Sequence, residues 1–332
     1  MLIEPTLRAL ADPTRLRIMR LLAAMELAVG ELAQVLGQSQ PRVSRHVRIL
    51  CDAALAERRK EGSWVFLRSA IGEQRAPPLG QAAAQLLAVA ESDDAQFAAR
   101  CAEDRRHLAA IRAAREGAAA TYFARHAAEW DQLRSLHTSD GPVEAALIAA
   151  LGAAVSGGSD LGALLDVGTG TGRMVELLAP RAGQVTGLDK SPEMLRLARA
   201  RLQHLPAERL ALVQGEFTAL PFADAAFDTV LFHQVLHYAL APELVLAEAA
   251  RVTRPGGTIA VVDFAAHEHE EVRSQHAHAR LGFSDEQMLA LLAGAGFTAA
   301  PPLALPGTPL TVKIWTATRL AVRVRAHQDT AS

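Results

Sequence analysis

The stretch that most constrains this chain is Ala163-Leu-Leu-Asp-Val-Gly-Thr-Gly-Thr-Gly-Arg-Met-Val-Glu-Leu-Leu178. An apolar run ending at Val167 reads as a buried strand, and Met174 to Leu178 begins a helix. Between them Gly168, Thr169, Gly170 and Gly172 form a turn nearly free of bulky side chains. Such a turn lets a ligand approach the main chain closely, and the helix that follows offers it unpaired N–H groups. The stretch therefore predicts a nucleoside-binding loop. It is not the dinucleotide fingerprint G-x-G-x-x-G, because Arg173 stands three residues after Gly170 and the run is G-x-G-x-G.

Acidic residues recur at the ends of the apolar runs. Asp166 precedes the first glycine by two residues, and Asp189, followed by Lys190, ends Val185-Thr-Gly-Leu-Asp189. A carboxylate at a second strand tip can hold the two hydroxyls of a ribose. Leu212-Val-Gln-Gly-Glu216-Phe217 supplies a third acidic strand end. Leu220 to His233 follows, and Arg254-Pro-Gly-Gly257 opens a further strand, Thr258 to Phe264. In this order the motifs resemble the class I S-adenosylmethionine (SAM)-dependent methyltransferases, in the small-molecule branch that includes ubiquinone-pathway enzymes, from about Tyr122 to Arg319.

The resemblance implies roles for particular residues. The glycine loop would approach the methionyl end of SAM, with Asp166 near its ammonium group or holding the loop in shape. Asp189 would accept the ribose hydroxyls, with Lys190 beside it. Glu216 and Phe217 lie where the family contacts adenine, although the family more often has Asp at position 216. His233 would face the methionyl part, and His233, His237 and Tyr238 are the candidate catalytic residues lining the acceptor pocket. The bland alternative is that these acids cap helices or turns. A cluster at His267-Glu-His-Glu-Glu271, Arg273, His276, His278 and Arg280 admits three readings: a metal site, an acid/base or acceptor-binding patch, or a solvated segment. Arsenite methylation is excluded, because its enzymes hold arsenic through cysteines and none follows Cys101.

Net charge separates the two ends of the chain. Residues 1–70 carry 11 Lys/Arg against 7 Asp/Glu, which leaves 23 against 29 for the remainder. A basic first domain predicts a polyanionic partner for that domain alone. Within it, Asp12-Pro13 caps a helix carrying Leu16, Met19, Leu22 and Met25. A second helix, Val29 to Leu36, stops at Gly37. Ser39 caps a third, whose inward stripe is Val43, Val47 and Leu50. Gln40, Arg42, Ser44, Arg45 and His46 are left outside, at the end where a helix-turn-helix reads base edges. Leu55 to Arg59 and Trp64 to Arg68 read as a β-hairpin, with Arg59 and Lys60 at its basic tip.

This order resembles the ArsR-type winged-helix repressors over residues 4–70, carried by Leu10-Ala-Asp-Pro-Thr-Arg-Leu-Arg-Ile and Ser39-Gln-Pro-Arg-Val-Ser-Arg-His-Val. The resemblance implies double-stranded operator DNA as partner and a homodimer. The family's metal ligands are missing: Glu31 to Leu36 holds no cysteine, and His107 is the only histidine between His46 and His126. No metal is therefore expected, and Cys51 reads as a packing residue.

Pro77-Pro78 marks the exit from the head. Residues 81–117 then read as one long amphipathic helix with Leu86, Leu87, Ala90, Phe97, Cys101, Leu108 and Ile111 on its stripe, to be covered by a second copy or by the chain's own methyltransferase domain. Tyr122 to Leu136 resembles a helical lid, and Gly157-Gly-Ser159 a connector. A capping box at Ser284 to Gln287 opens a helix ending at Gly296. Phe297 to Leu305 and Leu310 to Thr318 are expected to close the sheet as an antiparallel pair. The expected fold is α/β: a winged helix-turn-helix (1–75), a helical linker or dimerisation region (76–120), a Rossmann-like SAM-binding domain with a mostly parallel sheet and an antiparallel C-terminal hairpin (121–320), and a flexible tail (321–332). No apolar run is long enough to span a membrane, no leader pattern is seen, and two cysteines are too few for a disulfide framework, so a cytoplasmic protein is expected. Its ligand would be SAM or S-adenosylhomocysteine, with a small-molecule methyl acceptor. Two functions fit: a regulator that senses SAM, or a methyltransferase with an autoregulatory DNA-binding head.

Overall fold

A computed structural model describes residues 2–24, 27–61, 64–71, 76–126, 140–155, 160–272 and 278–320, with the side chains of 59–61, 64, 112, 114–126 and 140 outside that description. The chain divides into two compact units, Met1–Ala119 and Ala120–Ser332.

In the first unit, α1 (Ile3–Leu10) leads to α2 (Pro13–Leu22), whose N-terminus is capped by the Asp12 carboxylate accepting from Arg15 N at 3.1 Å. After β1 (Leu27–Ala28), α3 (Val29–Leu36) ends on Gly37 at φ +63°. The buried Glu31 reaches back to accept from Ala28 N at 2.8 Å. Helix α4 (Gln40–Asp52) buries Val43, Val47 and Leu50. Ser39 occupies its cap position without a side-chain cap bond, so the helix starts on Pro41 and the α3–α4 packing instead. Strands β2 (Ala56–Glu61) and β3 (Trp64–Ser69) pair antiparallel, and β1 adds to the far side of β3.

The segment after the wing departs from expectation in two ways. It is two helices, α5 (Pro78–Asp93) and α6 (Ala95–His126). Asp94 breaks them by turning extended and accepting from Gln96 N and Phe97 N at 2.9 and 3.0 Å. Part of the segment packs into the head itself: Ala83, Leu87 and Leu108 are buried in one core with Ile18, Leu32 and Val47. Leu86, expected on the same stripe, is exposed. Ion pairs fix the arrangement. Arg17 Nε donates to Asp104 Oδ2 at 2.7 Å, and Glu91 lies between Arg20 and Arg105, at 2.5 Å from each.

The second unit is a mixed sheet of eight strands. In sequence they are β4 (Ala163–Val167), β5 (Gln184–Asp189), β6 (Leu210–Gln214), β7 (Phe227–His233), β8 (Thr253–Phe264), β9 (Phe297–Ala299), β10 (Leu303–Leu305) and β11 (Val312–Arg319). Their spatial order is β10-β11-β8-β7-β4-β5-β6, with β9 also on β11. Strands β4 to β8 run parallel and β11 antiparallel to β8. The stretch expected as one strand from Phe297 to Leu305 is divided by Pro301-Pro302, which lack the N–H a ladder needs; its halves pair with opposite ends of β11.

Helices cover both faces, as a parallel sheet requires: α7 (Asp140–Ala154), α8 (Arg173–Leu178), α9 (Pro192–Arg201), α10 (Pro242–Val252) and α11 (Asp285–Gly294). The side chains alternate accordingly. Val230 and Phe232 enter one core and Leu231 the other, as do Ile259 and Val261 against Ala260 and Val262. Most of the expected lid and the connector at 157–159, with Arg273, His276 and the tail 321–332, lie outside the described residues. Among the described residues no helix is long and apolar enough to cross a membrane.

The Arg105 and Arg20 guanidiniums beside Glu91 hold its carboxyl below the usual range. A depressed carboxyl adds stability above its unfolded pKa, about 4.3, and loses it as the pH falls through the folded value. Glu91→Gln should therefore lower the melting temperature near neutral pH and converge with the parent in acid, at about pH 3 or below. A gap in melting temperature independent of pH would exclude the pair as its cause.

Candidate functional site

The chain proceeds from β4 to β5 and β6 on one side, then returns to place β7 on the other side of β4. In an open α/β sheet, such a switch point leaves a crevice at the carboxyl ends of the strands. The glycine loop leaves β4 at this point. Gly168 has φ +73°, and a Cβ there would run into the side chain of Val235, just past β7. Gly172, at φ +83°, caps α8 against Leu202. No other residue type takes these angles without strain.

Hydrogen bonds fix the loop to β5. Gly168 N and Thr169 N both donate to Leu188 O, at 2.8 and 2.9 Å. Asp189 Oδ2 accepts from Gly170 N at 2.8 Å, and its Oδ1 from Ser191 N at 2.9 Å. Burial pushes the Asp189 carboxyl up, against the lowering effect of the Ser191, Gly170 and Lys190 N–H groups. Its turn-capping bonds thus exist beside any ligand role. Arg173, at the position where a dinucleotide loop has glycine, grips Glu144 of α7 with two bonds of 2.8 and 2.7 Å.

The remaining expected cofactor residues are spread around this loop. Asp166 is buried in β4 between Gly187 and Leu231. The Thr169 hydroxyl is buried without a hydrogen-bond partner among the described residues. Glu216 lies two residues beyond β6, half exposed, with Lys190 Nζ at 2.8 Å from its Oε1. Phe217 packs partly buried against the core.

Beyond β7 the structure assembles a second group. His233 ends that strand, paired with Val262. His237 and Tyr238 share a 3-10 turn, with ring centroids 4.1 Å apart. His237 Nδ1 lies 2.7 Å from Asp263 Oδ1, and His237 N donates to Asp263 Oδ2 at 3.1 Å. Sequence reasoning gave Asp263 no role. The available signal was one acid inside the apolar strand Val261-Val-Asp-Phe264.

The cluster after β8 is divided. His269 and Glu271 pair on the surface at 2.9 Å. His278 and Arg280 are buried, the His278 ring 4.0 Å from that of His237. Arg280 donates to Ala239 O and Leu240 O at 3.3 and 3.1 Å. The solvated reading thus fails for these two residues. Among the described residues no three His, Cys, Asp or Glu converge as a metal-binding group.

In the first unit Gln40, Arg42 and Arg45 are exposed on α4, while Ser44 is half-buried. His46 corrects the expected outward face: its side chain is 14% exposed and turns to Asp12, with Nδ1 at 3.6 Å from Oδ1. Arg59 and Lys60 are placed only as backbone of β2. A concavity of about 440 Å³ lies between α3, α4 and the hairpin, rimmed by Gln34, Gln40, Ser44 and Arg58. Burial pushes the Cys51 and Cys101 thiols up, which keeps both protonated and suits packing.

Residues 12–58 match the model of the bacterial regulatory proteins of the arsR family, and residues 165–261 that of a methyltransferase domain. Demethylmenaquinone methyltransferase of Tropheryma whipplei (strain Twist) is 39% identical over 101 residues, 30% of this chain and 41% of that protein. Phosphatidylethanolamine N-methyltransferase of Cereibacter sphaeroides is 39% identical over 103 residues, 31% and 50% respectively. A solved S-adenosylmethionine dependent methyltransferase from Mesorhizobium loti superposes with a TM-score of 0.44 at 17% identity, over 52% of this chain and 96% of that one. The chain spans about two-fifths to half the length of these curated relatives.

Gly168→Ala should destabilise the second unit by about 1–3 kcal/mol, from the left-handed backbone alone, with the Val235 clash added. Chemical denaturation checks this; a loss below about 0.5 kcal/mol would mean that the loop does not hold the described conformation.

Proposed function

We propose that this chain, an arsR-type helix-turn-helix joined to a Rossmann-like methyltransferase domain, is a DNA-binding transcriptional regulator whose second unit binds SAM or S-adenosylhomocysteine as its effector. The observation that carries this reading is the cradle at the switch point: a glycine-rich loop free of bulky side chains, its buried Thr169 hydroxyl without a partner among the described residues, and Asp189 at the adjoining strand tip. A nucleoside fits it. An ionised carboxylate has about four acceptor sites, so Asp189 retains capacity for ribose hydroxyls after its backbone bonds. Asp166, Gly168, Thr169, Gly170 and Gly172 would hold the methionyl end with His233, and Lys190, Glu216 and Phe217 the adenosine. Bound SAM supplies an activated methyl carbon.

The head supplies the DNA contact. Arg42, Arg45 and Gln40 stand exposed at the N-terminal end of α4, where bidentate arginine contacts read guanine, with Arg59 and Lys60 on the hairpin following the backbone. Its partner is double-stranded operator DNA, which puts the protein in the cytoplasm. A second copy of the chain would cover Leu2, Ile3 and Leu7 around α1 and Leu86 and Val89 of α5, all exposed and apolar, to give the two-fold symmetry operators mirror. A second reading, a working small-molecule methyltransferase with an autoregulatory head, is favoured by the buried His237–Asp263 pair.

Asp189→Ala should weaken SAM binding by about 1.5–3 kcal/mol in calorimetry, the range for bonds to charged groups; unchanged affinity in a folded variant would remove the ribose role. If the second unit is the effector module, operator affinity should change by about 1–3 kcal/mol between ligand-free and saturated protein, with the reciprocal change in ligand affinity. Anisotropy titrations at one fixed salt concentration decide this, and identical operator affinity without ligand, with SAM and with S-adenosylhomocysteine leaves only the enzyme reading.

A further inference from the structure

We infer that Arg201 is a positioning residue for the cofactor site: its guanidinium holds the closing peptide of the glycine loop in one orientation, and is itself held by an ion-pair chain that reaches α7. The inference rests on the SAM reading above and names what keeps that site in its receiving shape.

The loop ends in a turn from Thr169 to Gly172, closed by Gly172 N donating to Thr169 O at 2.9 Å. Gly172 N and Thr171 O belong to one peptide plane, and in a trans peptide they point in opposite directions. Sterics alone do not fix that plane, because Gly172 lies at φ +83° and glycine takes positive and negative φ about equally. Arg201 Nη1 does fix it. It donates to Thr171 O at 3.3 Å and to the Thr171 hydroxyl at 2.8 Å, so the plane is bound on both sides. Rotating the plane would break the turn bond and the guanidinium bond to Thr171 O together. It would also release Thr169, whose buried hydroxyl has no hydrogen-bond partner among the described residues.

Arg201 ends α9, and this helix meets the loop at other points. A Cβ on Gly172 would meet Leu202 and Ala198 at 2.9 and 3.2 Å. Ser191, the α9 cap, gives its N–H to Asp189, which takes Gly170 N on its other oxygen. One helix therefore bears on both halves of the loop. Charge holds the guanidinium in place. Arg201 Nε lies 3.9 Å from Glu176 Oε2, the same oxygen lies 3.3 Å from Arg173 Nη1, and Arg173 grips Glu144 at 2.8 and 2.7 Å. Two cations thus alternate with two anions from α9 through α8 to α7.

Exposed ion pairs add little to stability, and the Arg201 and Glu176 side chains are 27% and 33% exposed. The forked bond to Glu144, 10% exposed, is the strong member. Joining α7 to α8 is thus done by Arg173 and Glu144 alone, and gives no reason for Arg201 to bond the loop. A role in shape does. A site already in its bound conformation costs its ligand less ordering, and affinity falls with the fraction of molecules in that conformation.

The test uses the full chain, with calorimetry of S-adenosylhomocysteine and hydrogen exchange of the ligand-free and saturated protein. Arg201→Met keeps the apolar stem and removes the donors. It should weaken binding at least about tenfold, the loss when roughly one molecule in ten keeps the receiving shape. Exchange in the loop 168–172 should quicken in the ligand-free variant, and saturating ligand should restore its protection. Arg201→Lys, which keeps a charged donor, should recover most of the affinity. Glu176→Gln, which loosens the chain and leaves the Thr171 bonds, should weaken binding by about two- to threefold. Unchanged affinity in Arg201→Met, or exchange raised throughout α9 and β4 and not restored by ligand, overturns the role and leaves the SAM reading standing. Should Arg201→Met not fold, Glu176→Gln carries the test, and affinity equal to the parent's overturns the role. If the parent itself does not bind S-adenosylhomocysteine, the SAM reading falls and the role of Arg201 with it.

Discussion

One carboxylate holds the glycine-loop end of the second unit together. The glycine loop has few side chains to fix it, the Thr171 hydroxyl accepting from Arg201 Nη1 at 2.8 Å among them, and three of its glycines lie at positive φ. Left alone it would sample many shapes, at an entropic cost to any ligand that must select one. Asp189 limits that freedom by taking Gly170 N on one oxygen and Ser191 N on the other, tying the loop of one strand to the tip of the next. Leu188 O and the side chain of Val235 close the other two sides. The crevice is thus set before anything enters it, which is what low-cost binding requires.

The same economy of position explains why the candidate residues converge. A parallel sheet buried on both faces leaves its chemistry at the strand ends, and β4, β5, β7 and β8 each end in or beside a polar group: Asp166, Asp189, His233 and Asp263. The first unit is organised otherwise. Its core is completed by α5 and α6, so the helices after the wing belong to the head's own packing and carry its ion pairs, with Arg17, Arg20 and Arg105 each facing a carboxylate.

Local features were legible in the sequence and long-range ones were not. Asp12, Gly37, Ser191 and Ser284 mark helix ends because a cap involves only neighbours. The alternation of β7 and β8 reads directly as burial on two faces. Asp263 was missed because its partner is 26 residues away, and a strand acid carries no mark of what it meets. His46 misled for a related reason: its place on the helical wheel faces outward, but Asp12 from another helix draws it in. The stripe on α5 and α6 showed that something must cover it, and periodicity cannot name the cover. Arg173 excluded one loop type, although its grip on Glu144 of a preceding helix was not visible.

That grip has a consequence for anyone who would cut the chain into modules. The recognisable methyltransferase signature begins at residue 165, and an excision there looks natural on paper. Yet Val143, Leu147 and Leu151 of α7 are buried in the same core as Leu164 and Val262, and Glu144 supplies both oxygens to Arg173. A fragment starting at β4 would bare that apolar face and leave the guanidinium beside the glycine loop with Glu176 alone, at 3.3 Å. The separable module therefore begins upstream of Asp140, and a fusion joint or truncation belongs there.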